Sequence, residues 1–224
     1  MQPEYYYKNL YPLQDRVLRA MAEVDTSLYL TGGTALSRCY LNHRFSDDLD
    51  FFANRDPDFR KKTELVIAHL QAQPEFLIEI EQRDKDYLRC FAVAGDTRLK
   101  LDFVNDVTYR YGQSQAHSIF SRVDNLRNIL SNKISALSRN SAKDFVDILY
   151  ICRVLSFLWR EIVHEASEKD LWVNPIEISR LIDEFDAKRL GEIPWIIPVD
   201  VEAFQQAQHK IARDILLGLE NRPS

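Results

Sequence analysis

Gly32-Gly33-Thr34-Ala35-Leu36 and, a short way on, Arg44-Phe45-Ser46-Asp47-Asp48-Leu49-Asp50 carry most of the information in this 224-residue sequence. Just upstream, Leu28 and Leu30 flank Tyr29 in a short predicted strand over residues 27–31. The glycine pair ends that strand, and a helical pattern resumes over 34–41. A strand that turns into a helix through two glycines brings backbone N–H groups close to an anion, and the helix start favours negative charge there. The pair alone would equally describe a simple turn. The Asp-x-Asp run downstream adds weight: Asp48 and Asp50 alternate with Leu49 and Phe51, so residues 48–53 read as a strand with one packed face and one functional face.

Two aspartates two positions apart on a strand point the same way and repel each other unless a cation intervenes. Mg²⁺, which takes carboxylate oxygens together with substrate phosphates, suits such a pair, with Mn²⁺ as an alternative. A third carboxylate would complete a two-metal site. Asp102 is the candidate, because Leu99, Leu101 and Phe103 alternate with Lys100, Asp102 and Val104 on another predicted strand, 98–104. A strand-centre aspartate between Leu101 and Phe103 costs several kcal/mol when buried unless it is compensated. The plain alternative is an exposed edge-strand aspartate.

Working outward, residues 10–24 read as an amphipathic helix through Leu13, Val17, Leu18 and Met21, and 59–70 as a second helix. Strands are expected over 76–80, 87–93 and 98–104, the last two forming a hairpin about Gly95-Asp96. After Tyr111 no convincing strand is visible. Helices are expected over 125–137, 142–158, 175–185 and 200–219, the third with Asn174 as N-cap and Pro175 at the first position. Residues 191–198, with two prolines and Trp195, read as a loop. The expected architecture is therefore a mixed sheet module over 1–115 and a helical module over 116–224.

Composition excludes little else. Hydrophobic residues make up 46% and charged residues 28%, which is the make-up of an ordinary globule with a real core. Twenty-nine Lys and Arg against 34 Asp and Glu give a formal charge of −5, which argues against a uniformly basic nucleic-acid coat but not against a local phosphate site. Cys39, Cys90 and Cys152 are odd in number and form no CxxC pair, so they read as buried thiols in a reducing compartment. Met1 to Leu10 is polar and tyrosine-rich, without the features of a signal peptide, and no apolar run reaches membrane length. The expectation is a cytoplasmic chain with no membrane partner.

Gly32-Gly33-Thr34 followed by Arg44-x-Ser46-x-Asp48-x-Asp50 resembles the signature of polymerase-β-type nucleotidyltransferases. More narrowly, it resembles the family that includes the AbiEii/AbiGii toxins of AbiE-type abortive-infection toxin–antitoxin systems. A second block, Lys133-x-x-Ala136-Leu137-x-Arg139 running into Lys143-Asp144-Phe145-x-x-Asp147, is similar to that family's lysine helix and following acidic helix. Lys143 stands where the family usually has arginine. The likeness spans residues 27–155. It implies an α/β (α+β) polymerase-β-like mixed sheet flanked by helices, with the C-terminal helical module completing a nucleotide cleft. It also implies that Asp48 and Asp50 hold divalent metals, and that Asp102 binds one metal and helps activate an acceptor hydroxyl. Gly32, Gly33 and Ser46 would cradle the triphosphate, with Thr34 nearby and Lys133 as a phosphate clamp. Supporting roles fall to Arg44, Arg139, Asp144 and Asp147: Arg44 neutralising Asp47 or Asp48, and the two aspartates orienting Lys133 and Arg139.

The leading expectation is a Mg²⁺-dependent transfer of a nucleoside monophosphate from an NTP to an RNA, for example tRNA, or to a protein. A toxin role with an antitoxin encoded nearby is what the family resemblance implies. The alternatives are a non-catalytic nucleotide-binding module and a metal-dependent phosphohydrolase. Between Arg122 and Lys143 lie Arg122, Arg127, Lys133, Arg139 and Lys143 against Asp124 alone, a basic stretch suited to phosphates or to a solvated helical face. His43, His69, His117, His164 and His209 read as packing or surface residues, and Tyr5-Tyr6-Tyr7 as a cover for an apolar surface. Ser37, Ser46 and Ser135 have no partner histidine at a triad spacing.

Overall fold

The computed structural model describes residues 3–223; Met1 and Gln2, at the start of the polar N-terminal stretch, and Ser224 lie outside them. The chain divides into two compact units, one formed by residues 1–40 and 45–124, the other by 41–44 and 125–224.

The first unit is built on a five-stranded mixed sheet. Its strands are β1 (Tyr29–Thr31), β2 (Asp48–Asn54), β3 (Leu77–Arg83), β4 (Tyr87–Ala94) and β5 (Thr97–Asp106), in the spatial order β1-β2-β5-β4-β3. β2 and β5 are parallel, and every other pairing is antiparallel. Helix α1 (Tyr11–Ala22) is reached through helical turns that start at Pro3, and α2 (Gly32–Ala35) runs on into a wider π-type stretch, Leu36–Leu41. α3 (Phe59–Gln71) follows β2. Alternation makes the packed face: Leu49, Phe51, Leu99, Leu101, Phe103, Leu88 and Cys90 are essentially inaccessible, with the Phe51 and Phe103 rings stacked 5.3 Å apart.

β1 would be an open edge, but the segment before residue 125 closes it. Leu30 N–H donates to the Arg122 carbonyl at 2.8 Å, and Asp124 N–H donates to the Leu30 carbonyl at 2.8 Å. This pairing is the physical reason that residues 116–124 fold with the sheet rather than with the helices after them. Of the N-terminal tyrosines, Tyr6 covers an apolar surface as expected, stacking on Phe45 at 4.2 Å with its hydroxyl donating to Asp47 at 2.6 Å, whereas Tyr7 is exposed.

The second unit is helical: α4 (Leu126–Ser135), α5 (Ala142–Cys152), α6 (Trp159–Lys169), α7 (Pro175–Asp183) and α8 (Val201–Leu217). Asn174 caps α7 by accepting the Glu177 N–H at 3.0 Å. The single helix expected over 142–158 is instead two elements. α5 stops at Cys152, the short strand β6 (Phe157–Leu158) pairs with β7 (Glu220–Asn221), and α6 then begins. The buried Asn221 amide donates to the carbonyls of Cys152 (2.8 Å) and Leu155 (2.7 Å), satisfying the end of α5 from a partner about 70 positions away. α6 itself buries Trp159, Ile162, Val163 and Ala166 along one side. No helix among the described residues is long and apolar enough to cross a membrane.

Candidate active site

On the sheet face opposite the apolar layer, register decides which side chains meet. Thr31, Asp50, Asp102 and Arg89 stand abreast on β1, β2, β5 and β4, and Asp48, Lys100 and Phe91 form the neighbouring row. Asp48, Asp50 and Asp102 thus share one face of two adjacent parallel strands, as their spacing predicts. Gly32, at φ +70°, sits directly over Asp50, and a Cβ placed on it would collide with the Asp50 carboxylate. The first glycine is therefore needed twice, for its left-handed backbone and for the close approach.

Lys100 lies among the carboxylates. Its Nζ is 2.9 Å from Asp48 Oδ2 and 3.2 Å from Asp102 Oδ2. Arg89 grips Asp102 with Nε on Oδ1 at 2.7 Å and Nη2 on Oδ2 at 3.1 Å, and the Tyr87 hydroxyl donates to Oδ1 at 2.8 Å. Burial disfavours the charged forms of both Asp102 and Lys100. The Arg89 and Tyr87 hydrogen bonds and Lys100 outweigh it and hold Asp102 below the ordinary carboxylate range, while Asp48 and Asp102 push Lys100 above the ordinary amine range. Burial, reinforced by Asp102, pushes the Tyr87 hydroxyl up to about 12.

Asp48 and Asp50 offer hard oxygens from one strand face and suit one ion. Asp102 does not suit a second: a carboxylate has about four acceptor directions, and Tyr87, Arg89 twice and Lys100 use four. Among the described residues no group of three His, Cys, Asp or Glu side chains is arranged to hold a metal ion.

The residues expected around the triphosphate are placed unevenly. Gly33 is buried at the start of α2. The buried Thr34 hydroxyl donates to the Asp48 backbone carbonyl, so it anchors the first residue of β2. Ser46 is also buried, and its carbonyl accepts from the Gln14 amide at 3.1 Å.

Within the helical unit a second polar cluster forms. Arg44, 1% exposed, holds Asp147 with Nε on Oδ1 and Nη2 on Oδ2, both at 2.7 Å. Lys133 Nζ reaches Asp144 at 2.6 Å and Asp147 at 2.8 Å, so the two aspartates do hold the lysine, whereas Arg139 is exposed. Coulombic attraction to Asp147 and Asp144 overcomes burial and raises Lys133 above the usual amine range. Burial opposes ionisation of Asp147, yet Arg44, Lys133 and His43 drive it well below the carboxylate range. His43, read from sequence as a packing residue, completes this cluster with Nε2 2.9 Å from Asp147 Oδ1, and no partner meets its Nδ1 among the described residues. Of the cations in the basic stretch, Arg127 is bound to Glu161 and Glu165 and Arg122 to the Leu28 carbonyl, while Arg139 is exposed.

A mixed sheet carrying Asp-x-Asp beside a glycine turn, with a helical module after it, defines the polymerase-β-like nucleotidyltransferase architecture. A family profile described as "Nucleotidyl transferase AbiEii toxin, Type IV TA system" matches residues 16–213. The chain belongs to the AbiEii nucleotidyltransferase toxin family. Solved structures share the fold. A putative nucleotidyltransferase from Helicobacter pylori is similar at 19% identity and TM-score 0.64, covering 94% of this chain and 96% of that one. JHP933 from Helicobacter pylori is similar at 18% identity and TM-score 0.58, over 93% and 91% of the two chains. The nucleotidyltransferase toxin MenT4 from Mycobacterium tuberculosis H37Rv is similar at 17% identity and TM-score 0.66, over 96% and 85%. No curated protein matches the sequence.

This geometry generates two testable outcomes. Gly32→Ala must open space against Asp50 and adopt a positive φ, at a cost of about 1–3 kcal/mol; urea unfolding will show it, and an unchanged midpoint would contradict the close approach. His43 is buried and has its pKa lowered from the ordinary 6.5, first by desolvation, with the Asp147 contact opposing. Because the folded value lies below the unfolded one, its contribution to stability is full above about 6.5 and declines as pH falls through that value. Thermal unfolding between pH 7.5 and 5 will therefore be less pH-sensitive in His43→Leu than in the wild type, and parallel curves would contradict the assignment.

Proposed function

We propose that this chain transfers a nucleoside monophosphate from an NTP to an RNA, such as tRNA, or to a protein, and acts as the toxin of a toxin–antitoxin pair. The observation that carries the reading is the register that puts Asp48 and Asp50 on one strand face with Gly32 pressed against Asp50. Phosphoryl chemistry needs positioning and charge neutralisation more than a protein nucleophile, and this face offers both. A Mg²⁺ ion held by Asp48 and Asp50 would supply neutralisation of phosphate charge and a fixed seat for the triphosphate.

The chain's own residues do the rest. Gly32 and Gly33 present backbone at the start of α2, where phosphate oxygens can come close without a side chain in the way. Thr34 and Gln14 hold the loop into β2 from behind, which fixes where Asp48 starts. Asp102, held ionised and weakly basic, keeps Arg89 and Lys100 on the sheet face. Within the helical unit Lys133, steadied by Asp144 and Asp147, is a fixed cation, with Arg44 and His43 securing Asp147. The family membership supports the overall activity.

Incubation of the chain with each α-³²P-labelled NTP, Mg²⁺ and total RNA or total protein tests this. Wild type labels an acceptor from at least one NTP, and Asp48→Asn or Asp50→Asn lowers the label by about a hundredfold or more. Expression of the wild type alone slows growth, and Asp48→Asn relieves it. Release of free nucleotide with no labelled acceptor, or labelling undiminished by both variants, would overturn the proposal.

A further inference from the structure

We propose that Lys100 is the built-in second cation of the carboxylate face: its ammonium fills the place between Asp48 and Asp102 that a second metal ion would require, so the face accepts a single divalent ion. The inference rests on the nucleotidyltransferase reading of that face and departs from the two-metal arrangement that the three carboxylates suggest on their own.

Register fixes Lys100 there. It is the direct cross-strand neighbour of Asp48, and it precedes Asp102 by two residues on β5, so all three side chains leave the sheet on one side. Its Nζ bridges the two carboxylates at 2.9 and 3.2 Å, distances at which a metal ion and an ammonium group exclude each other. The far carboxylate is fully engaged, since Arg89 and Tyr87 take its remaining acceptor directions. Charge agrees with geometry. Lys100 and Arg89 already set two positive charges against Asp48 and Asp102, so one divalent ion needs only the remaining acidity of the face. On the nucleotide-free face a second ion would add positive charge beside Lys100 and Arg89, with Asp102 already engaged. Lys100 is also only about one-third exposed at its side chain, so its stem is supported by the sheet while the ammonium stays within reach of an arriving phosphate.

A structural ion pair and a built-in cation differ in what they do to metal binding. Mn²⁺ titration of the full-length chain, followed by the loss of the free-ion paramagnetic resonance signal, separates them. Wild type will bind one Mn²⁺ per chain, and Asp102→Asn will leave that count at one. Lys100→Met, which keeps the stem and removes the charge, will tighten Mn²⁺ binding about tenfold or more or admit a second ion. Lys100→Arg will behave as wild type, and circular dichroism will verify that each variant is folded. Two ions on the wild type with one lost in Asp102→Asn, or the same Mn²⁺ affinity and count in wild type and Lys100→Met, including no binding by either, would overturn the inference. Failure of nucleotidyl transfer is read independently: the expected Mn²⁺ pattern without labelled acceptor sinks the proposed activity alone, and labelled acceptor with two bound ions sinks the role of Lys100 alone.

Discussion

The parallel pairing of β2 with β5 is the constraint on which the candidate site depends. It sets Asp48 opposite Lys100 and Asp50 opposite Asp102, so the polar side of two strands holds alternating charges at hydrogen-bond distance. A slip of one residue would turn every one of these groups into the apolar layer and bring Leu49, Phe51, Leu101 and Phe103 out. The packed face therefore protects the polar one. Phe51 stacked on Phe103 and the aspartates behind them are two readings of one register.

Around that pairing the fold adds restraints of distinct kinds. Gly32 gives way to Asp50, Thr34 ties down the Asp48 carbonyl, and the 122–124 segment closes the β1 edge. In the helical unit the order is different, because its centre is a buried carboxylate. Asp147 is met by Arg44, Lys133 and His43, a set that keeps one negative charge stable where isolated burial would be prohibitive. Removing Arg44 or Lys133 takes a compensating charge from Asp147 and removing His43 takes a hydrogen bond from it, so these residues are coupled and their substitutions will not add independently.

Much of this was legible in the sequence where the signal is local. Alternation about Asp48 and Asp50 gave the strand, its two faces and the shared side of the carboxylates; Gly95-Asp96 gave the hairpin, and Asn174-Pro175 the cap. What was not legible depends on partners far along the chain. Arg44 bonds to Asp147, 103 positions away, and nothing in its neighbourhood announces that partner. His43 looked isolated because the carboxylate it meets is 104 positions away. The mostly apolar stretch from Phe145 to Leu158, broken only by Asp147, Arg153 and Ser156, hid the end of α5, which is stabilised by Asn221. Lys100 was visible in the alternation, as the residue beside Asp102, but its meaning appears only when β2 is laid alongside β5. Asp102 reads as a free ligand from sequence and is a saturated one in the structure, because Tyr87 and Arg89 come from a third strand.

In the proposed transfer the carboxylate face directs attack at the α-phosphorus of an NTP. Following both ends of the triphosphate tests it most directly, using α- and γ-labelled NTP in parallel with a competent acceptor. The account predicts that the γ label leaves as pyrophosphate, in amounts equal to the nucleoside monophosphate joined to the acceptor. Release of the γ label as orthophosphate, or its appearance on the acceptor, would place the attack at another phosphorus and contradict the account.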